Sequence, residues 1–216
     1  MSEAVYSLAS LSQSPGMYLY LHGFNSSGDS AKGKFFAQAL APITVETPSY
    51  PPAPDAAIRH LRQILGQRLA TTSSDESITL IGSSLGGFYA QYLARQFKLA
   101  VVLINPALQP ALTLRPYLGW QKNFYTGERY YFGEDELAQL QRYDIADPCR
   151  QPVATLVLLE AGDEVIDYRY AQRHYADCAE VITYPDGNHQ FQHLAEATQA
   201  IRRFLRKSEI NPPDLT

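Results

Sequence analysis

One serine in this chain has the neighbours needed for nucleophilic chemistry. Gly82-Ser83-Ser84-Leu85-Gly86 fits the pattern G-x-S-x-G, with Ser-Ile-Thr-Leu-Ile before it and a helix-compatible stretch, Gly87–Phe97, after it. A hydroxyl attacks an acyl carbon only when a base takes its proton, and a sharp strand-to-helix turn raises the serine where a base can reach it. Gly82 and Gly86 leave room for that turn. Ser83 occupies a variable position of the pattern and is read as structural. The following helix aims its N-terminus at the site, where free N–H groups favour negative charge.

The partners of such a serine follow it in the order acid, then histidine. Of the five histidines, only His174, His189 and His193 lie beyond Ser84. His189 ends the loop Pro185-Asp186-Gly187-Asn188-His189, between the last strand candidate and the last helix. It is the expected base, with His193 at the opening of that helix as the reserve; His174 falls in a polar helix and reads as solvated. Asp163 follows the apolar run Thr155–Glu160 at its carboxyl end and is the expected acid, accepting the ring N–H and fixing the tautomer. Glu164, Asp167 and Asp186 compete, but Asp167 suits a helix N-cap and Asp186 a turn, while Glu160 stays within the strand. Acyl transfer also needs donors for a developing oxyanion. The N–H groups of Leu85 and of Phe24, in the early loop His22-Gly23-Phe24-Asn25, are placed to supply them. Gly23 permits close approach, and His22 reads as a structural residue of that loop.

Six short apolar runs qualify as strands that would carry these groups: Met17–Leu21, Ile43–Glu46, Ser77–Ile81, Ala100–Ile104, Thr155–Glu160 and Val181–Tyr184. Continuously apolar strands suit a parallel sheet covered on both faces. Helix candidates alternate with them at Ser30–Leu40, Asp55–Ala70, Leu85–Phe97, Tyr168–Ala176 and Leu194–Arg206. This implies right-handed crossovers and an α/β, doubly wound, mostly parallel sheet in one domain. Residues 1–16 form a lead and 208–216, with two prolines, a frayed tail.

About residues 105–148 break the rhythm, with no strand candidate but a dense aromatic set. A connection this long is usually functional or a small subdomain. It reads as a small, largely helical cap, with Trp120, Phe124 and Tyr125 as candidates to line an apolar substrate pocket.

The 216 residues carry a net charge of −4, which argues against nucleic acid as the main partner. No stretch approaches the ~20 apolar residues of a membrane span. No His or Cys cluster has metal-ligand spacing, so neither metal nor cofactor is expected, and two cysteines are too few for a disulfide framework. The N-terminus lacks the pattern of a secretory signal, so the expected compartment is the cytoplasm.

With these residues placed, the chain resembles the YqiA-type esterase family of small bacterial α/β-hydrolases. The resemblance rests on Tyr-Leu-His-Gly-Phe-Asn-Ser at 20–26, Gly82–Phe88, Asn105-Pro106-Ala107, Gly162-Asp163-Glu164-Val165 and Asn188-His189, and spans roughly residues 17 to 205. It implies a cytoplasmic esterase with Ser84, Asp163 and His189 as its triad, acting on short acyl esters or acyl-CoA thioesters. Departures are the longer N-terminal lead and Asn188 before the histidine, where Asp is frequent in relatives. Two alternatives stand beside it: an amidase, peptidase or perhydrolase on the same triad, and a non-catalytic binding protein of the same fold. For the thioester, Lys32, Lys34, Arg115, Lys122 and Arg129 are the basic residues that could meet phosphates. Oligomeric state is not legible.

Overall fold

Side-chain alternation in the apolar runs explains how they become a sheet with two covered faces. The computed structural model describes residues 16–73 and 76–210, so nearly all of the expected N-terminal lead, and residues 211–216 of the tail, lie outside it. In chain order the elements are β1 (Met17–Leu21), α1 (Ala31–Ala39), β2 (Val45–Glu46), α2 (Pro54–Thr71), β3 (Ile78–Ser83), α3 (Leu85–Phe97) and β4 (Ala100–Ile104). A connecting segment then carries α4 (Pro110–Thr113), a 3₁₀ turn at Arg115–Tyr117, β5 (Gly119–Lys122), β6 (Arg129–Phe132) and α5 (Glu134–Gln141). The chain closes with β7 (Thr155–Glu160), α6 (Tyr168–His174), β8 (Glu180–Tyr184) and α7 (Leu194–Ile210). α7 thus runs four residues past Arg206, into the segment expected to fray.

Six strands form one sheet in the order β2-β1-β3-β4-β7-β8, and every neighbouring pair is parallel. Successive strand residues face opposite sides. Leu19, Leu21, Leu80, Val101, Leu103, Val157 and Leu159 join one buried cluster with α2 and α3, through Leu61, Leu65, Phe88 and Leu93. The alternate residues Tyr18, Tyr20, Ile81, Val102, Ile104, Leu156 and Leu158 join the other, with Phe36 of α1 and Ala197, Ile201 and Phe204 of α7. Parallel strands need crossovers, and the order reverses direction at β1 and β3, so the loops after those strands open a crevice at the sheet's carboxyl edge.

The cap differs from the sequence expectation. It is not largely helical: β5 and β6 pair as an antiparallel hairpin, with Trp120 opposite Tyr131 and Gln121 opposite Tyr130. Its aromatic residues favour a pleated, half-buried surface, and alternation sends Trp120, Lys122, Arg129 and Tyr131 outward while Gln121 and Tyr130 face the body of the protein. The two cysteines, too few for a framework, make a single crosslink, Cys149–Cys178, that joins the segment before β7 to the turn after α6.

Two glycines separate tight packing from open surface. A Cβ on Gly86 would meet the carbonyl oxygens of Leu21 and His22 at the end of β1, whereas one on Gly66, exposed in the middle of α2, meets nothing within 4 Å. Gly86→Ala is therefore expected to destabilise the protein by about 1–3 kcal/mol through overpacking. Gly66→Ala should stabilise it by up to about 1 kcal/mol through helix propensity. Urea unfolding of both variants checks the opposite signs.

Candidate active site

The turn between β3 and α3 brings Ser84 to the carboxyl edge with φ 54° and ψ −123°. That conformation is sparsely populated for any residue with a side chain. It is held because Ser84 N donates to Ile104 O (3.0 Å) while Ser84 O accepts from Gly87 N (2.9 Å) and Ala107 N (3.0 Å). The loop after β1 presses against it: a Cβ on Gly23 would lie 3.3 Å from Ser84 Cβ.

His189 reaches over the edge from the loop between β8 and α7. Its Nε2 lies 3.0 Å from Ser84 Oγ, and its Nδ1 lies 2.9 and 3.1 Å from the two carboxylate oxygens of Asp163. Asp163 follows β7. Its side chain is 1 % exposed against 20 % for the imidazole, and its Oδ1 also accepts the backbone N–H groups of Val165 and Ile166, each at 2.9 Å. The carboxylate is thus fixed from two sides, and Nε2 is the ring nitrogen turned toward the serine. Glu164, a competitor for the acid's place, instead accepts from His189 N at 3.0 Å.

Phe24 N and Leu85 N flank this centre, and neither finds an acceptor among the described residues. Beside them lies a cavity of 390 Å³ lined by Gly23, Phe24, Tyr50, Leu85, Tyr89 and Tyr130, among others. Trp120, Phe124 and Tyr125 do not line it. These residues are 67 %, 80 % and 49 % exposed, whereas the sequence marked them as candidates to line an apolar pocket. The reason is the hairpin alternation, which turns Trp120 to solvent and gives the inward place to Tyr130.

Glu160 is the residue whose importance sequence reasoning missed, since it looked like the last residue of an apolar strand. It is fully buried. Its carboxylate accepts the backbone N–H groups of Asn188, Gln192 and His193 and meets His193 Nδ1 at 2.9 Å. Asn105 completes the support, accepting from Glu160 N (2.9 Å) and donating to Asn188 O (3.1 Å). The loop carrying His189 is therefore held on both sides by one buried anion. An acidic residue closing an otherwise apolar strand was the available signal. His193, the reserve base, is engaged with Glu160 and stacks on Tyr184 at 4.9 Å. His174, expected to be solvated, is half-buried and 3.2 Å from Ile145 O.

Four of the five basic residues have partners, and Lys122 is exposed on the outer face of the hairpin. Lys32 turns inward and donates to Ser83 Oγ at 2.6 Å, and burial pulls its ammonium down to about 8 despite the nearby carboxylates of Glu160 and Asp163. Lys34 lies 3.6 Å from Asp29, and Arg115 lies 3.0 Å from Glu134. Arg129 sits 5.5 Å over the Trp120 ring.

Six parallel strands with a serine raised at the β3–α3 turn define an α/β-hydrolase fold. It is shared with Est1E from Butyrivibrio proteoclasticus (TM-score 0.73, 15 % identity, 92 % of this chain and 90 % of that one). It is also shared with a monoacylglycerol lipase from Paleococcus ferrophilus (TM-score 0.67, 16 % identity, 89 % and 96 %). The chain belongs to the Uncharacterised protein family UPF0227, whose model matches residues 17–206, and the YqiA-type resemblance carried by the motifs agrees with that membership. A UPF0227 protein of Shewanella woodyi is 26 % identical over 198 residues, covering 88 % of this chain and 99 % of its own. Among the described residues no helix is long and apolar enough to cross a membrane, and no His, Cys, Asp or Glu cluster has the form of a metal site.

His22 provides a pH signature of this loop. It is buried and stacked on Tyr50 at 4.0 Å, its Nδ1 lies 2.9 Å from Gly23 O, and desolvation lowers its pKa from 6.5 to about 4. The unfolded chain binds this proton more readily than the folded one. Stability should therefore be undiminished above pH 6.5 and fall progressively as pH drops toward 4, by about 3 kcal/mol from this group. Urea unfolding from pH 7 to pH 4 should show that component in the wild type and its loss in His22→Gln.

Proposed function

We propose that this protein is a serine hydrolase of carboxylic esters, working through an acyl-Ser84 intermediate. The observation that carries the reading is the unbroken chain Asp163–His189–Ser84, with contacts of 2.9 and 3.0 Å, on a serine held in a strained turn. His189 Nε2 takes the hydroxyl proton as Ser84 Oγ attacks the acyl carbon. Asp163 holds the neutral tautomer and then stabilises the imidazolium. The oxyanion receives the Phe24 and Leu85 N–H groups. The imidazolium then protonates the leaving alcohol as the bond to it breaks. His189 next deprotonates a water that releases the carboxylic acid and restores Ser84. No metal or cofactor enters these steps. The 390 Å³ cavity beside the oxyanion groups is the place for the substrate's apolar part.

An uncharged ester is the favoured substrate over an acyl-CoA thioester, because three of the five candidate cations are already engaged: Lys32 donates to Ser83, and Lys34 and Arg115 face carboxylates. The lipase and esterase character of structural neighbours that share the fold accords with an ester substrate.

The test is hydrolysis of a chromogenic short-chain ester, together with labelling by a fluorophosphonate. Ser84→Ala should abolish both, and Ser83→Ala should retain substantial turnover. His189→Ala should approach the loss seen with Ser84→Ala, because triad members act as a unit. Asp163→Asn should lower kcat by roughly 10³–10⁴. Labelling that survives Ser84→Ala would refute the assignment. Trp120→Ala, at an outward position, should leave the acyl-length preference unchanged; a shifted profile would return it to the pocket.

A further inference from the structure

The loop that presents Phe24 N–H is held largely by the cap rather than by the sheet beneath it. Asn25 is buried and adopts φ 55°, which asparagine tolerates better than most residues. Its side-chain amide spans both strands of the hairpin: Nδ2 donates to Gln121 Oε1 of β5 at 3.0 Å, and Oδ1 accepts from Tyr130 Oη of β6 at 2.6 Å. Its backbone carbonyl accepts from Phe124 N, in the hairpin turn, at 2.9 Å. One residue on, Ser26 O accepts from Asn123 Nδ2 at 2.7 Å. The Phe24 ring packs against the cap as well, with Phe132, Tyr117 and Tyr130 at 5.2, 6.0 and 6.3 Å between ring centres.

We propose that Asn25 is a positioning residue that couples the β5–β6 hairpin to the oxyanion hole, so that the cap sets where Phe24 N–H points; the inference rests on the ester-hydrolase reading above. Phe24 lies between two anchors. Gly23 is packed against Ser84, and Asn25 is tied to three parts of the hairpin. Releasing the second anchor frees the intervening peptide to rotate, and a donor aimed a fraction of an ångström off the developing oxyanion loses much of its value. An asparagine suits this place because one amide supplies a donor and an acceptor in fixed opposition. Burial raises the Tyr130 phenol above its ordinary 10, so the hydroxyl keeps the proton it gives to Asn25. The hairpin is thereby a part of the catalytic apparatus that never touches substrate through its exposed aromatic face.

The experiment compares Asn25→Gly, which keeps the backbone conformation and deletes the amide, with Tyr130→Phe, which deletes one hydroxyl. Both are measured on the full-length protein for kcat, KM and the rate of fluorophosphonate labelling. Each is expected to lower kcat and the labelling rate by about tenfold to 100-fold, with KM within about threefold of wild type. The double variant should lose little more than the worse single one, because both changes cut the same tether. Asn25→Asp, which can still accept from Tyr130, should recover part of the loss. A raised KM with kcat preserved, fully multiplicative losses in the double variant, or wild-type labelling rates in both singles would overturn the coupling. If Asn25→Gly unfolds, Tyr130→Phe carries the same outcomes. A wild-type protein that neither labels nor hydrolyses esters would instead remove the underlying reading, so the two failures are distinguishable.

Discussion

Ser84 occupies a backbone conformation that costs of order 1–3 kcal/mol, and much of the surrounding structure exists in a form that sustains it. Gly82 and Gly86 must lack side chains, because a Cβ on Gly82 would meet Gly86 and Ala90 of α3 and one on Gly86 would meet the end of β1. That contact fixes how closely α3 approaches β1, and hence where the loop holding Gly23 and Phe24 meets the serine. The strain is sustained by hydrogen bonds that Ser84 N donates to Ile104 O on the neighbouring strand and that Ser84 O accepts from Ala107 N just beyond it. Parallel pairing of β3 between β1 and β4 is therefore what allows the turn, and the turn is what exposes the hydroxyl.

Around the serine the dominant physical problem is the burial of charge. Asp163 and Glu160 are both carboxylates with almost no exposed side-chain surface. A buried anion without partners is costly, so each is surrounded by backbone N–H groups and a histidine nitrogen. The arrangement divides the labour. Asp163 orients the imidazole that faces Ser84, while Glu160 fixes the loop that carries it. Lys32, turned inward onto Ser83, is the cation whose charge faces both acids.

The cap adds a second layer of positioning. Its outward face is aromatic and exposed, while its inward face makes polar contacts to the oxyanion loop and lines the cavity through Tyr130. A two-stranded hairpin has little stability alone in water. Here Phe132 and Leu137 sink into the same buried cluster as α2 and α3, anchoring the segment to the body of the protein.

Features that depend on local pattern were legible in the residues alone. Continuous apolar runs implied a sheet covered on both faces, and Met17–Leu21, Ala100–Ile104 and Thr155–Glu160 form strands with the bounds read from them. The glycine spacing around Ser84 implied the turn, and the chain order implied Asp163 and His189; in the structure His189 lies within hydrogen-bonding distance of Asp163 on one side and of the serine on the other. What tertiary structure decided was everything set by contacts distant in sequence. Glu160 reads as an unremarkable strand end until the loop at 188–193 folds over it, and Asn25 reads as a loop residue until a hairpin about 100 residues later closes on it. The cap's form belongs to the same class: aromatic residues fit a helix or a strand, and only the pairing of Trp120 with Tyr131 fixed which rings face solvent and which face the cavity. Local periodicity specifies an element, but the partner of a buried polar group is chosen by the fold as a whole.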